Sequence, residues 1–253
     1  MDLFDLSGRV AIVTGGARGI GFAIAKGLAS SGALVVIADI NSDGAEKAAA
    51  TVRAEGFQTQ SIAVDVTKRT SVQDMVGQTV EGSGQIDILV NCAGIILRKP
   101  IEEVTDEEWD SILDVNLRGV FLCSQVAGRE MIKRKQGKII SISSNIAQVL
   151  QHGRGIYAVS KAGVSHLTKV MALEWAPYHI NVNAIAPAPT MTDLNKKFFD
   201  EHPEDYQERL RSIPMGRLGD PQDYVGMAIF LASKASDFVT GQTLFVDGGS
   251  ILI

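Results

Sequence analysis

The sequence predicts a doubly wound α/β fold, one parallel sheet of seven strands with helices on both faces. Three observations predict it. Short, continuously apolar runs recur along the chain and alternate with stretches of helical periodicity, the pattern of strands buried on both faces. The 253 residues are 45% apolar, enough to fill the core such a sheet needs. A glycine-rich turn joins the first apolar run to the first helical stretch, where this architecture accepts phosphates.

The elements follow in order. Residues 9–14 form the first strand, ahead of Gly15-Gly16-Ala17-Arg18-Gly19-Ile20-Gly21. A helix over 22–31 and a fully buried strand over 34–39 come next. Asn41 or Ser42 can cap a helix running to about residue 55. Strand 59–64, helix 71–81 and strand 86–91 complete the first half. Thr105-Asp106-Glu107-Glu108 is an acidic, cappable helix start. Its pattern continues to about residue 135. Strand 138–142, helix 157–175 and strand 180–185 follow, then a helix opened by Pro221 and a last strand over 243–246.

No linker, repeat or low-complexity segment interrupts this alternation, so one domain is expected over 1–253. The exception is 188–219, which is long for a connection. Its charged and aromatic residues suit a lid that folds over a ligand. The plainer alternative is an extra pair of surface helices.

Composition excludes several classes. Net charge is −5 and no basic run exceeds Lys133-Arg134-Lys135, so nucleic acid is a poor partner. That triplet suits a helix C-terminus. Cys92 and Cys123 lie far apart and the histidines are scattered, with no metal spacing. No metal is expected, and free thiols point to a reducing compartment. Met1-Asp2-Leu3-Phe4-Asp5 carries acid where a signal peptide carries base. No apolar run approaches the ~20 residues of a membrane span. A soluble, cytosolic protein without membrane partners is expected.

Two sites of chemistry stand out. In the glycine turn, Gly15 permits the tight bend, Gly19 lets the backbone approach a pyrophosphate, and Gly21 allows close packing of the helix against the strand. Asp39 ends the second strand, where a carboxylate accepts both ribose hydroxyls of an adenosine and repels a 2′-phosphate. Ile40 and Asn41 supply no compensating cation, so NAD is expected over NADP, with Arg18 as the counter-argument.

Farther on, Tyr157-Ala158-Val159-Ser160-Lys161 puts Tyr and Lys on one helix face. Tyrosine has a pKa of about 10 and is a poor base at neutral pH. A lysine ammonium beside it favours phenolate, which suits it to general acid/base work. Ser144, just past strand 138–142, can hydrogen-bond the substrate oxygen. A Tyr and a Lys at this spacing are, taken alone, more often a packed ring and a snorkelling stem.

Taken together, these motifs resemble the short-chain dehydrogenase/reductase family. The match runs from about Leu6 to Gly249. It includes Thr14-Gly15-x-x-x-Gly19-x-Gly21, Asp65-Val66, Asn91-Cys92-Ala93-Gly94, Asn116, Ser144, Tyr157-x-x-x-Lys161 and Asn183-x-x-x-Pro187. The resemblance implies a single-domain Rossmann fold and hydride transfer with a nicotinamide cofactor. Ser144, Tyr157, Lys161 and Asn116 would be catalytic, Asn116 holding a helix distortion and a water that links Lys161 to solvent. Lys161 would also bind the nicotinamide ribose. Arg18, Ile20 and Ile40 would join the glycines and Asp39 around the cofactor. Asp65 and Val66 would contact adenine, and Asn91, Ala93 and Gly94 would lie under the adenosine ribose. Pro187, Thr190 and Thr192 would flank the nicotinamide and pyrophosphate. Two positions depart from the family: Cys92 replaces an asparagine, and Ala188-Pro189 replaces a glycine after Pro187. The residue before a proline is pushed toward extended geometry, so the backbone beside the nicotinamide is expected to differ.

For substrate, Arg98, Gln148, Gln151, His152 and Arg154 lie near the expected mouth, with Arg98, Gln151 and Arg154 beside Ser144 and Tyr157 as the binding set. They suit a hydroxylated, anionic small molecule. Ala172-Leu173-Glu174-Trp175-Ala176 and Pro214-Met215-Gly216-Arg217-Leu218-Gly219 resemble the sugar-acid and polyol branch, such as gluconate 5-dehydrogenases. One alternative is a 3-oxoacyl-carrier-protein reductase, for which Arg129 could grip the carrier while Leu173 occupies the second arginine's place. Another is a non-catalytic NAD-sensing module, which typically lacks the Tyr or the Lys. The family usually pairs its two long helices across a twofold axis, so a homotetramer, or a homodimer, is expected. The apolar end Ser250-Ile251-Leu252-Ile253 should seek cover at another subunit.

Overall fold

The computed structural model describes residues 3–253, apart from the side chains of residues 193, 194 and 197. The acidic start Met1-Asp2 and the Lys197 side chain, both part of the sequence reading, lie outside the described residues. The chain alternates β1 (Val10–Thr14), α1 (Gly19–Ser30), β2 (Leu34–Asp39), α2 (Ser42–Ala54), β3 (Thr59–Ala63), α3 (Arg69–Ser83) and β4 (Ile88–Asn91). Then come α4 (Asp106–Leu113), α5 (Gly119–Arg134), β5 (Gly137–Ile142), α6 (Gly155–Trp175) and β6 (Ile180–Pro187). The chain closes with α7 (Asp193–Glu201), α8 (Pro203–Arg211), α9 (Val225–Ala232) and β7 (Thr243–Val246).

All seven strands run parallel in one sheet, in the order β3-β2-β1-β4-β5-β6-β7. Side chains alternate across it, as the two-residue period of a strand demands. Ala11, Val13, Val35, Ile37, Ile88 and Val90 face a core with α1, α2 and α9. Ile12, Val36, Leu89, Ile139 and Val182 face the opposite core with α3, α5 and α6. The order reverses between β1 and β4, so the loops leaving their C-terminal ends diverge and open a crevice.

Local chemistry explains the boundaries. Asn41, not Ser42, caps α2: its Oδ1 accepts from the Gly44 amide at 3.0 Å. Thr105 and Glu108 form a reciprocal capping box at α4. The basic triplet ends α5, where Lys135 takes a left-handed turn at φ 53°. Helix α1 starts at Gly19, earlier than its apolar pattern, because the glycine turn is itself the helix N-terminus.

Two elements differ from the sequence reading. The single long helix from 107 is divided by a π turn, Asp114–Arg118, between α4 and α5. The segment 188–219 contains a pair of helices, α7 and α8, where no helical periodicity was read. Phe199, Ile213, Leu218 and Ala188 give it a small core of its own, with Phe198, Tyr206 and Leu210 packed against it. Among the described residues, no helix is long and apolar enough to cross a membrane.

Candidate active site

The turns at the C-terminal ends of β1, β2, β3, β4 and β6 border one cavity of about 430 Å³. Gly15, Arg18, Gly19, Ile20 and Gly21 line it from the first turn, and Asp39 and Ile40 from the second. Asp65 and Val66 follow β3, Cys92, Ala93 and Gly94 follow β4, and Pro187, Thr190 and Thr192 follow β6. A β-carbon at Gly15, whose φ is +66°, would lie 2.7 Å from the Ala93 backbone. A β-carbon at Gly21 would collide with the Gly15 carbonyl oxygen. The expected reason for Gly21, contact of helix with strand, is therefore corrected: the close approach is between α1 and the turn itself. A cradle kept free of side chains at a helix N-terminus fits the pyrophosphate of a dinucleotide.

Asp39 holds this turn in place. Its Oδ2 accepts from the Ala17 amide at 3.2 Å and its Oδ1 from the Asn41 amide at 3.0 Å. Each carboxylate oxygen keeps lone pairs for a further donor. Ile40 and Arg18 beside it are exposed. Asp65 borders the cavity with its carboxylate already engaged by Thr67 Oγ1 at 2.7 Å and Lys68 at 3.0 Å. The Thr67 hydrogen bond holds its pKa below the usual carboxylate range.

Asn91 and Thr190 sit differently from the expectation, and Asn116 holds the π turn. Asn91 does not border the cavity. Its Nδ2 donates to Ser124 at 2.9 Å and Ser141 at 3.3 Å, inside the sheet–helix core. Asn116 is fully buried in the π turn. Its amide brackets Ile95, accepting from its N–H at 2.8 Å and donating to its carbonyl at 2.9 Å, and donates to Ser160 at 3.1 Å. The expected helix distortion is thus present, at the position expected. Thr190 borders the cavity, but its hydroxyl is spent on the Ala188 carbonyl at 2.8 Å and on Tyr224. Beyond Ala188-Pro189 the chain is pinned by Gly219, whose N–H donates to the Pro189 carbonyl at 2.9 Å.

At the other end of the cavity, α6 presents Tyr157 and Lys161, and the turn after β5 presents Ser144. Burial pushes the Tyr157 phenol above its ordinary value, while a hydrogen bond with Ser144 and the charge of Arg154 pull it down. Lys161, expected to favour the phenolate, lies beside the ring. The ammonium is pushed down to about 8 by burial and donates to the Ile142 carbonyl at 2.8 Å, 5.7 Å from the phenol ring centroid. A buried lysine resists carrying charge, and Arg154 and Arg98 add positive charge near the phenol. Cys92, in the family's asparagine position, is pushed up to about 12 by burial and stays an unreactive thiol.

Arg98, Gln151 and Arg154 line the mouth as expected, whereas Gln148 and His152 do not reach it. Arg98 donates to Asn195 of α7 at 2.8 Å and stacks over Phe198 at 4.1 Å, and its buried Nε has no partner among the described residues. Burial, then the charges of Arg98 and Arg209, push Arg154 down to about 10. Arg209, on α8, was missed in the sequence. Had 203–211 been read as a helix, Asp205, Tyr206 and Arg209 would have fallen on one face at i, i+1 and i+4.

Residues 15–250 match the family described as enoyl-(acyl carrier protein) reductase. The chain is 41% identical to 5-keto-D-gluconate 5-reductase of Escherichia coli (strain K12), covering 99% of this chain and 98% of that one. It is 39% identical to the NAD-dependent glycerol dehydrogenase of Listeria innocua serovar 6a, covering 97% and 95%. Among solved structures, a gluconate 5-dehydrogenase from Burkholderia cenocepacia J2315 in complex with NADP and tartrate has a TM-score of 0.95 at 42% identity, covering 100% and 98%. With the glycine cradle, the Tyr157/Lys161 pair and the seven-stranded order all on one frame, the chain belongs to the short-chain dehydrogenase/reductase family and is an oxidoreductase of CH–OH groups.

Proposed function

We propose that the protein oxidises a secondary hydroxyl of a sugar acid, or reduces the matching ketone, and takes aldonates in preference to uncharged polyols. One observation carries this reading: Arg98, Arg154 and Arg209 all line the cavity that holds Tyr157. Guanidiniums pair well with a carboxylate, and best where water is excluded. Relatives named for keto-gluconate and for glycerol support the class, acid and polyol alike.

The residues then divide the work. The glycine turn and Asp39 hold the dinucleotide, with Ala93, Gly94, Val66 and Pro187 around it. The bound nicotinamide supplies the hydride acceptor in oxidation and the donor in reduction. Tyr157 takes the hydroxyl proton in oxidation and returns it in reduction. Ser144 orients the substrate oxygen, and Lys161 holds the ribose side of the site. Asn116 fixes the backbone at Ile95, and Gly94 leaves room for that contact: a β-carbon there would lie 3.3 Å from Asn116 Oδ1 and 3.6 Å from Lys161 Nζ. Asp39 favours NAD, since a 2′-phosphate would meet its carboxylate, although solved relatives bind NADP.

Steady-state assays with aldonates and polyols, each with NAD and with NADP, test the reading. The expected result is highest kcat/KM with an aldonate and NAD, and turnover abolished by Tyr157→Phe. Activity confined to uncharged polyols would overturn the arginine argument, and a preference for NADP would overturn the Asp39 argument.

The proposed compartment is the cytosol, which suits the two free thiols. The proposed assembly is a homotetramer built on α5 and α6, whose Phe121, Val159, Val170 and Leu173 are exposed. Leu173, 80% exposed, is an apolar group where a carrier-protein reductase would want a cation. Light scattering should give a multiple of the 27.1 kDa chain mass, and a monomer would refute the assembly.

A further inference from the structure

The C-terminal segment reaches Ser144 through a chain of buried hydrogen bonds that has one direction. Asp247, at the end of β7, is the origin. Its Oδ1 accepts from the Gly249 amide at 3.0 Å. Its Oδ2 accepts from the Ile251 amide at 2.9 Å and the Ser250 hydroxyl at 3.0 Å. Ser250 has a single proton, and Asp247 takes it. Toward Asn145, Ser250 can therefore only accept, and Asn145 Nδ2 donates to it at 2.8 Å. That contact fixes the Asn145 amide, which would otherwise be free to turn over. Its Oδ1 then faces Ser144, whose hydroxyl donates to it at 3.3 Å. Asp247, Ser250, Asn145 and Ser144 are all buried.

We propose that Ser250 and Asn145 are positioning residues that set the resting direction of the Ser144 proton. The proposal rests on the reading of Ser144 as the group that orients the substrate oxygen. With its proton on Asn145, Ser144 turns a lone pair toward the Ile146 amide, 3.3 Å away, while it shares the cavity with Tyr157. When Tyr157 gives up its proton, the Ser144 proton swings from Asn145 to the oxygen that has become the better acceptor. The covalent inventory does not change; one hydrogen bond is exchanged for another. The long contact to Asn145 makes the exchange easy, and the anchor at Ser250 makes it reproducible. No motif in the sequence marks Asn145 or Ser250 for this work.

The test is a double-mutant cycle. Ser250→Ala should lower kcat roughly ten- to hundredfold, the range of a small misplacement of a catalytic group, and shift the pH profile of oxidation. Cofactor affinity, measured by fluorescence titration, should not change. Ser250→Thr, which restores the hydroxyl, should recover most of the loss. Asn145→Ala, which breaks the same link from the other side, should reproduce it. In a Ser144→Ala background, Ser250→Ala should add less than about a twofold further loss, because the group being positioned is gone. The proposal is overturned if Ser250→Ala leaves kcat and the pH profile unchanged. It is overturned equally if the loss is the same size with or without Ser144, which would mark a merely structural contact. If Ser144→Ala itself retains full activity, the catalytic reading of Ser144 fails first and takes this one with it.

Discussion

The two ends of the sheet treat buried charge in opposite ways. At the N-terminal edge, Asp87 precedes β4 and is only 2% exposed. Every direction around it is filled. The Val10 amide donates at 2.9 Å, Gln85 at 2.8 Å, Arg9 at 3.2 Å and Arg134 at 3.3 Å. At the C-terminal edge, cations are buried with less compensation: Asp205 acts on Arg98 and Arg154, and among the described residues no carboxylate acts on Lys161. Lys161 is pushed down to about 8, Arg154 down to about 10, and Arg98 downward as well, by burial in each case. A buried charge persists only if something pairs it. At the closed end the partner is part of the chain. At the open end the remaining compensation is left to what the cavity binds, which under the proposed function is an anion.

The widest gap should appear in stability. Asp87→Ala leaves two arginines facing each other and an amide without an acceptor. The arginines can still reach water, so the expected loss is about 2–4 kcal/mol, at the low end for a broken buried pair. It should be read as a lower urea midpoint at unchanged m, with turnover of the folded protein intact. Lys161→Met should act with the other sign. The native lysine titrates near 8 against an ordinary 10.5, so the folded state binds its proton less readily than the unfolded chain. The penalty is complete below about pH 8 and fades as pH rises toward 10.5. At pH 7 and without cofactor, the variant should be more stable by roughly 1–3 kcal/mol, part of the gain being lost with the bond to Ile142. That advantage should vanish by about pH 10.5, where the unfolded lysine is also losing its proton. A Lys161→Met protein less stable than its parent at pH 7 would show that the ammonium is satisfied after all, and the contrast between the two ends would collapse.

The same contrast explains what could be seen in the sequence. Strands and glycine turn were legible because burial on both faces leaves continuous apolar runs, and phosphate approach leaves glycines. Tyr157, Lys161 and Ser144 were legible only together with the other motifs, through the family resemblance they carry as a set. Asn145, Arg209 and the Asp87 cluster were not, because their partners come from positions far along the chain: Ser250 with Asn145, Arg98 and Arg154 with Arg209, Arg9 and Arg134 with Asp87. The π turn at Asp114–Arg118 keeps helical composition and shifts only the hydrogen-bond register, so periodicity passes over it. Helices α7 and α8 escaped the periodicity because their apolar residues, Phe198, Phe199, Tyr206 and Leu210, cover a small satellite core rather than the sheet.

The subtlest expectation concerns which cation tunes Tyr157. Burial raises its pKa, and Arg154 is the largest charge opposing that rise. Arg154→Gln removes the charge while keeping a polar side chain, so the phenol should ionise at higher pH. Oxidation needs phenolate, so its rising limb should move to higher pH; reduction needs phenol, so its falling limb should move the same way. The shift should be less than about one unit, since a guanidinium at the mouth is partly screened. Substrate choice separates this effect from carboxylate binding. With an uncharged polyol the variant should show the shifted limb and little change in KM. With an aldonate it should show the same shift together with a raised KM. A raised KM without any shift would assign Arg154 to the substrate alone, and the tuning of Tyr157 would then fall to Ser144 and Arg98.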